Sequence, residues 1–215
     1  MSEEIWIELL ISLTTIASFA GVCIGAMLYK KLNYVGRYLF LYLIAAFITD
    51  LTSRYLHTVF NNTLILVPLF GFIELLIFSI IYRHMVFKNN YLFKPIITIF
   101  LILILVDIFT SNAFTPKEFQ SYGRILDSIV IIFFSLFFYW KMLNNESNQN
   151  RNLLRLNTAI FLFFLFNCLW FVVTNFIVNI PYKTTLFLWY AILILTPLFY
   201  SFLTFYLWKN GRMLK

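Results

Sequence analysis

Long apolar stretches recur seven times along the chain, separated by short polar connectors: Ile5–Tyr29, Arg37–His57, Leu64–Met85, Tyr91–Ser111, Phe119–Met142, Leu153–Val178 and Thr184–Trp208. Each is close to the roughly 20 residues that a helix needs to cross a hydrocarbon core about 30 Å thick. The apolar runs are continuous, where membrane strands would alternate over about ten residues. The pattern predicts an all-α, polytopic membrane protein, a seven-transmembrane-helix bundle forming a single integral membrane domain over residues 1–215.

Composition agrees. Hydrophobic residues make up 62% of the 215 residues and charged residues 12%, with 27 Phe and 13 Tyr. A soluble chain of this size has too little interior to hide that much apolar surface. A disordered chain carries far less of it. Cys23 and Cys168 are the two cysteines, both inside apolar runs, so no disulfide scaffold or thiolate metal site is expected.

Charge orients the runs. Lys30, Lys31, Arg37, Arg83, Lys88, Lys94, Lys141, Arg151, Arg155, Lys209, Arg212 and Lys215 fall on one side. Arg54, Lys117, Arg124 and Lys183 fall on the other. The positive-inside rule then places the N-terminus outside and the C-terminus in the cytoplasm, in a plasma membrane that the composition suggests is a bacterial inner membrane. The net charge of +7 reads as topology and attraction to anionic lipid, so the bilayer is the expected partner and nucleic acid is not. Ser2, Glu3 and Glu4 are acidic or neutral where a signal peptide is basic, and the apolar run continues past Ser18-Phe19-Ala20. The first run is therefore read as a helix that stays. Asn61-Asn62-Thr63 fits a glycosylation sequon but hugs the membrane.

Ala17, Gly21 and Gly25 are spaced by four, lining small residues along one face of the first helix. Another helix can approach there closely, either within the chain or from a second copy in a homo-oligomer. Pro95 falls in a first helical turn, where its missing N–H costs nothing. Pro197 falls inside the seventh helix and frees a carbonyl near Leu193, which favours a bend. Helices 1–3 and 5–7 run in parallel, as repeats do in some small transporters, but the echo of Val67–Phe70 in Thr196–Phe199 does not align by depth.

Ionisable residues inside spans carry the most information, because each costs several kcal/mol (roughly 2.5–3.5 by insertion scales) unless solvated or paired. In this orientation Glu8, Asp50, Arg54, His57, Asp107, Arg124 and Asp127 lie in the outer half, and Glu74 lies near the midplane. The inner half is read as sealed and apolar. Five helices thus bring ionisable groups toward one end, which predicts an outward-facing polar pocket walled by helices 1 to 5. Asp50, Arg54 and His57 share a helix face at i, i+4 and i+7, and Arg124 and Asp127 share one at i, i+3. A simpler reading leaves these as self-satisfied pairs, with Glu8 and Asp107 wetted at the interface. Glu74 has no base within a turn. It requires a proton, water, or a partner on another helix, Arg54 or Arg124. Tyr42, Thr49, Ser53, Asn167, Trp170, Thr174, Asn175, Tyr190, Ser201 and Thr204 are the secondary polar groups, explained mostly by hydrogen bonds between helices.

Several chemistries do not fit. A retinal protein needs a buried Lys, and the Lys residues lie at helix ends or in connectors. A bis-His haem site needs paired His at one depth, and His57 and His84 lie at opposite ends. Asp50, His57 and Glu74 fall short of a zinc-hydrolase ligand set. No cofactor, metal or catalytic residue is assigned. The connectors hold no domain, so any output passes through a cytoplasmic or membrane signalling partner, or through transported matter. Three functions compete. The first is a receptor-like or regulatory module binding a small molecule at Glu74, Asp50, Arg54, His57, Asp107, Arg124 and Asp127. The second is a transporter with Glu74 as its midplane proton or substrate site. The third, an intramembrane lipid-modifying enzyme, ranks last.

Overall fold

The computed structural model describes residues 3–87, 91, 93–110, 121–144, 151–176 and 182–213, with the side chains of 3–5, 176, 182–189 and 213 outside that description. The elements are α1 (Glu3–Leu28), a 3-10 turn (Tyr29–Lys31), α2 (Tyr34–Phe60), α3 (Leu66–Met85), α4 (Phe93–Thr110), α5 (Tyr122–Leu143), α6 (Arg151–Phe176) and α7 (Tyr182–Met213). All seven helices are long and apolar enough to cross a membrane, and the chain is a membrane-embedded protein. The connector Asn112–Gln120 with Lys117, the starting residue Phe119 of the fifth run, the end of the sixth at Val178, residues 145–150 and the side chains of Lys88, Lys183 and Lys215 lie outside the described residues.

Helix ends differ from the apolar runs where hydrogen bonding, rather than hydropathy, sets them. The second run begins at Arg37, yet α2 begins at Tyr34. Asn33 accounts for the difference: its Oδ1 accepts the Gly36 N–H at 2.8 Å and its carbonyl accepts the Arg37 N–H at 3.0 Å, the geometry of a side-chain N-cap. At the other end α2 stops at Asn61, whose φ of 51° is the left-handed conformation that ends helices and that asparagine tolerates. Asn62 Oδ1 then accepts the Leu64 N–H at 2.9 Å to close the turn. α7 runs through Pro197 and past Trp208 to Met213. The polar end is helical because Arg212 stacks its guanidinium 4.3 Å from the Trp208 ring centre and Gly211 lies against Leu28.

The outward face of α5 is apolar and its inward face carries polar groups. On α5, Ile129, Phe133 and Leu136 are exposed while Arg124, Asp127, Ser128 and Ser135 are buried. A water-soluble helix would have the opposite arrangement.

The chain forms two compact units, one built from α1, α2 and α7, the other from α3, α4, α5 and α6. In the first, Leu39, Tyr42, Leu43, Leu203 and Leu207 are buried, and Tyr42 meets the rings of Phe199 and Tyr200 edge-on. The small residues of α1 bring helices of this same unit close. A Cβ on Gly21 would stand 2.6 Å from Thr204 Oγ1 and 2.7 Å from Leu43, and Gly25 lies under the Phe40 ring. The Thr204 hydroxyl sits 3.4 Å from the Ala17 carbonyl.

In the second unit Leu75, Phe78, Ile81, Ile131, Leu156, Ile160 and Phe164 form an aliphatic and aromatic interior. That interior is not sealed by hydrocarbon alone, contrary to the sequence reading. Tyr82 donates to Asn157 Oδ1 at 2.7 Å, and Asn157 Nδ2 donates to the Ser135 carbonyl at 3.2 Å, joining α3, α5 and α6. A count of charges passes over this layer because its members are neutral and satisfy one another.

Gly21→Leu is expected to destabilise the protein by about 1–3 kcal/mol through overpacking against Thr204 and Leu43. Ala20→Leu, at a position that lines an open groove beside α7, should leave stability within about 0.5 kcal/mol. Thermal melts of both variants in one detergent check the difference.

Candidate functional site

Arg124 enters the second unit from the first turn of α5. Its Nη1 pairs with Glu74 Oε2 on α3 and lies 2.9 Å from Asp127 Oδ2, one turn further along α5. Glu74 and Asp127 are completely buried and Arg124 is nearly so. The guanidinium carbon stands 5.7 Å from the Phe70 ring centre and 5.1 Å from that of Phe171, so α3 and α6 each supply an aromatic face. The Ser128 hydroxyl lies 3.0 Å from Asp127 Oδ1 and 2.9 Å from the Arg124 carbonyl, and its single proton serves one at a time. Helical spacing aligns Arg124, Asp127 and Ser128 on one face, which is why α5 turns a polar edge into an apolar unit.

Gly71 makes the approach of α3 to α5 feasible. A Cβ there would stand 2.9 Å from Arg124 Cδ and 3.0 Å from Asp127 Oδ2. Any side chain would contest the space the ion pair occupies.

Asp107 holds the start of α5. Its Oδ1 accepts the Tyr122 N–H at 3.2 Å, and its Oδ2 accepts the Ser121 hydroxyl at 3.2 Å. Asn175 on α6 takes the remaining backbone groups of Ser121, donating to its carbonyl at 3.0 Å and accepting its N–H at 3.4 Å. Asp107 is thus a helix cap supplied by a neighbouring helix, with its negative charge at the positive end of the α5 dipole. It is buried, not wetted at an interface. Gly123 gives it room, since a Cβ there would stand 2.8 Å from Asp107 Oδ2.

Four of the seven sequence-selected residues therefore belong to the second unit: Glu74, Arg124 and Asp127 in direct contact, and Asp107 capping the helix that carries two of them. The other three are on α2. Asp50 Oδ2 lies 3.4 Å from Arg54 Nε, and the Thr15 hydroxyl bonds both side chains from α1. Arg54 Nη2 also donates to the Ile11 carbonyl at 3.2 Å. Arg54 is 44% exposed, so this pair contributes about 0–1 kcal/mol. His57 is exposed beyond it.

Phe70, Gly71, Ser128 and Phe171 were missed from sequence. Ser128, four residues from Arg124, carried a usable signal in its spacing. The two phenylalanines are indistinguishable by pattern from the other Phe residues. Among the described residues no group of three or more His, Cys, Asp or Glu side chains is arranged to hold a metal. No family model, curated protein or solved structure matches the chain.

What the arrangement offers chemically is a surplus acid. One guanidinium faces two carboxylates, so the triad carries a net −1 when both acids are ionised and is neutral when one binds a proton. Removal of Arg124 should strand two acids in a buried site, and Arg124→Ala is expected to cost about 3–5 kcal/mol. Adding Glu74→Gln and Asp127→Asn to Arg124→Ala should recover most of that loss. Unfolding of the single and triple variants in mixed detergent micelles would reveal it, and equal destabilisation of both would contradict an electrostatic origin.

Proposed function

We propose that the protein is a receptor-like regulatory module of the plasma membrane, with its N-terminus outside, its C-terminus in the cytoplasm, and its output carried by a partner protein. The observation behind this reading is Arg124 held between the buried Glu74 and Asp127. The triad bridges α3 and α5 and has one acid more than it has bases. Neutralising that acid, by a proton or by a small cationic ligand, weakens the hold of Arg124 on one helix. Two packings of α3 against α5 then differ by the occupancy of a single group, which is what a membrane sensor needs. The basic helix ends at Arg83, Lys94, Lys141 and Arg212 define the cytoplasmic rim in this reading and offer the surface that a partner would meet.

Transport is the second reading, favoured by the position of Glu74 about 12 Å along α3, near the middle of a 20-residue helix. There Glu74 would alternate between Arg124 and a translocated proton. The two readings separate in proteoliposomes carrying an entrapped pH dye. The module reading expects no proton flux above empty vesicles, together with a Glu74→Gln change of at least severalfold in the labelling rate of a Leu69→Cys reporter on the exposed side of α3. Proton flux abolished by Glu74→Gln would overturn it in favour of transport. A reporter enzyme fused after Lys215 should be active only on the cytoplasmic side.

A further inference from the structure

A groove of about 260 Å³ runs between α3 and α4, and its lining includes none of the triad residues. Its lining is layered. Arg83 on α3 and Lys94 on α4 stand at one end. One turn deeper, about 6 Å, come Ser79 and Thr98, and about 10 Å from the cations come Leu76 and Leu101. The helices are antiparallel neighbours, so each layer has a contribution from both.

Two features of the lining need explanation. Ser79 is 4% exposed, yet its hydroxyl has no hydrogen-bond partner among the described residues. Serines buried in apolar helices ordinarily bond the carbonyl one turn back, as Thr98 does to Lys94 at 3.0 Å. Neither Arg83 nor Lys94 has an ion-pair partner among the described residues, and no Asp or Glu occurs between Glu74 and Asp107. The groove thus offers two free cations, an unused donor beneath them, and hydrocarbon walls below.

We infer that this groove is a binding site for an anionic glycerophospholipid, with the phosphate between Arg83 and Lys94, an ester carbonyl accepting the Ser79 hydroxyl, and the start of one acyl chain along Leu76 and Leu101. The order of the layers follows that of the lipid: anion, ester, hydrocarbon. The volume is below the roughly 300–1,000 Å³ of pockets that enclose a whole drug-sized ligand, so part of the lipid is held and the rest stays in the bilayer. Two cations without a neighbouring acid disfavour a headgroup that carries its own ammonium. Diffuse attraction of basic helix ends to anionic membranes needs none of this layering.

The experiment uses the full chain, with retained lipid read by native mass spectrometry. The protein is exchanged between micelles doped with phosphatidylglycerol or phosphatidylcholine. At least a tenfold preference for phosphatidylglycerol is expected. Arg83→Gln with Lys94→Gln should abolish the preference. Ser79→Leu, which fills the groove and leaves both cations, should lower phosphatidylglycerol retention about tenfold, and Ser79→Ala should lower it about threefold through the lost hydrogen bond. Thr98→Leu, on the exposed wall, provides a second block should Ser79→Leu fail to fold, and is expected to lower retention similarly. Equal retention of the two lipids overturns the site. So does a preference that survives both blocking substitutions, which would assign it to diffuse charge.

Discussion

A charge carried into hydrocarbon has to find its counter-charge inside the protein, and the second unit is arranged around that requirement. Leaving an ion unpaired there costs several kcal/mol, more than the 1–2 kcal/mol of a typical hydrogen bond between membrane helices. Arg124, Glu74 and Asp127 therefore fix the facing surfaces of α3 and α5 more strictly than apolar contacts could. Methylene surfaces slide with little penalty, while a guanidinium bound at two carboxylates does not. The glycine at 71 and the aromatic faces of Phe70 and Phe171 are consequences. The ion pair needs a close approach, and each ring offers the guanidinium a weakly polar surface.

The two units solve helix association differently. In the first, α1 approaches α7 through Gly21, and among the described residues no fully buried charge is involved: Asp50 and Arg54 meet where Arg54 is still 44% exposed. In the second, polar groups form layers along the helices: Asp107 with Ser121 and Asn175, then the triad, then Tyr82 with Asn157 and Ser135. Small-residue packing gives stability through contact, whereas polar layers give it through mutual satisfaction and hold the helices in one register.

Much of this was legible in the sequence. The seven helices follow from hydropathy, because the bilayer sets a minimum apolar length that few other structures need. Cost alone left Glu74 with a proton, water, or a partner on another helix, Arg54 or Arg124, and the fold supplies Arg124. The i, i+3 and i, i+4 pairs of α5 and α2 followed from helical geometry. Helix ends were less legible where an Asn33 cap or a stacked Arg212 extends a helix beyond its apolar run, since hydropathy has no term for hydrogen bonding. Neutral partners were least legible. Asn157, Ser135 and Ser121 resemble many other polar residues until the fold brings their complements within reach. Phe70 and Phe171 differ from the rest of the 27 Phe only in what stands beside them.

The capping of α5 by Asp107 bears on the proposed response of the triad to a single proton. With Ser121 and Tyr122 tied to α4 and α6, the first turn of α5 is anchored at its backbone, so Arg124 extends from a fixed base. The group free to change is then on the far side of the pair, at Glu74 or Asp127. Their environments differ. Asp127 shares its helix with Arg124 and has the Ser128 hydroxyl within reach, so losing the guanidinium leaves it a donor. Glu74 meets Arg124 across the gap between two helices. Neutralising Asp127 alters contacts within α5, while neutralising Glu74 alters what joins α3 to α5. In the proposed sensor, a change at Glu74 would bear on the contact between α3 and α5, and a change at Asp127 on a contact within α5.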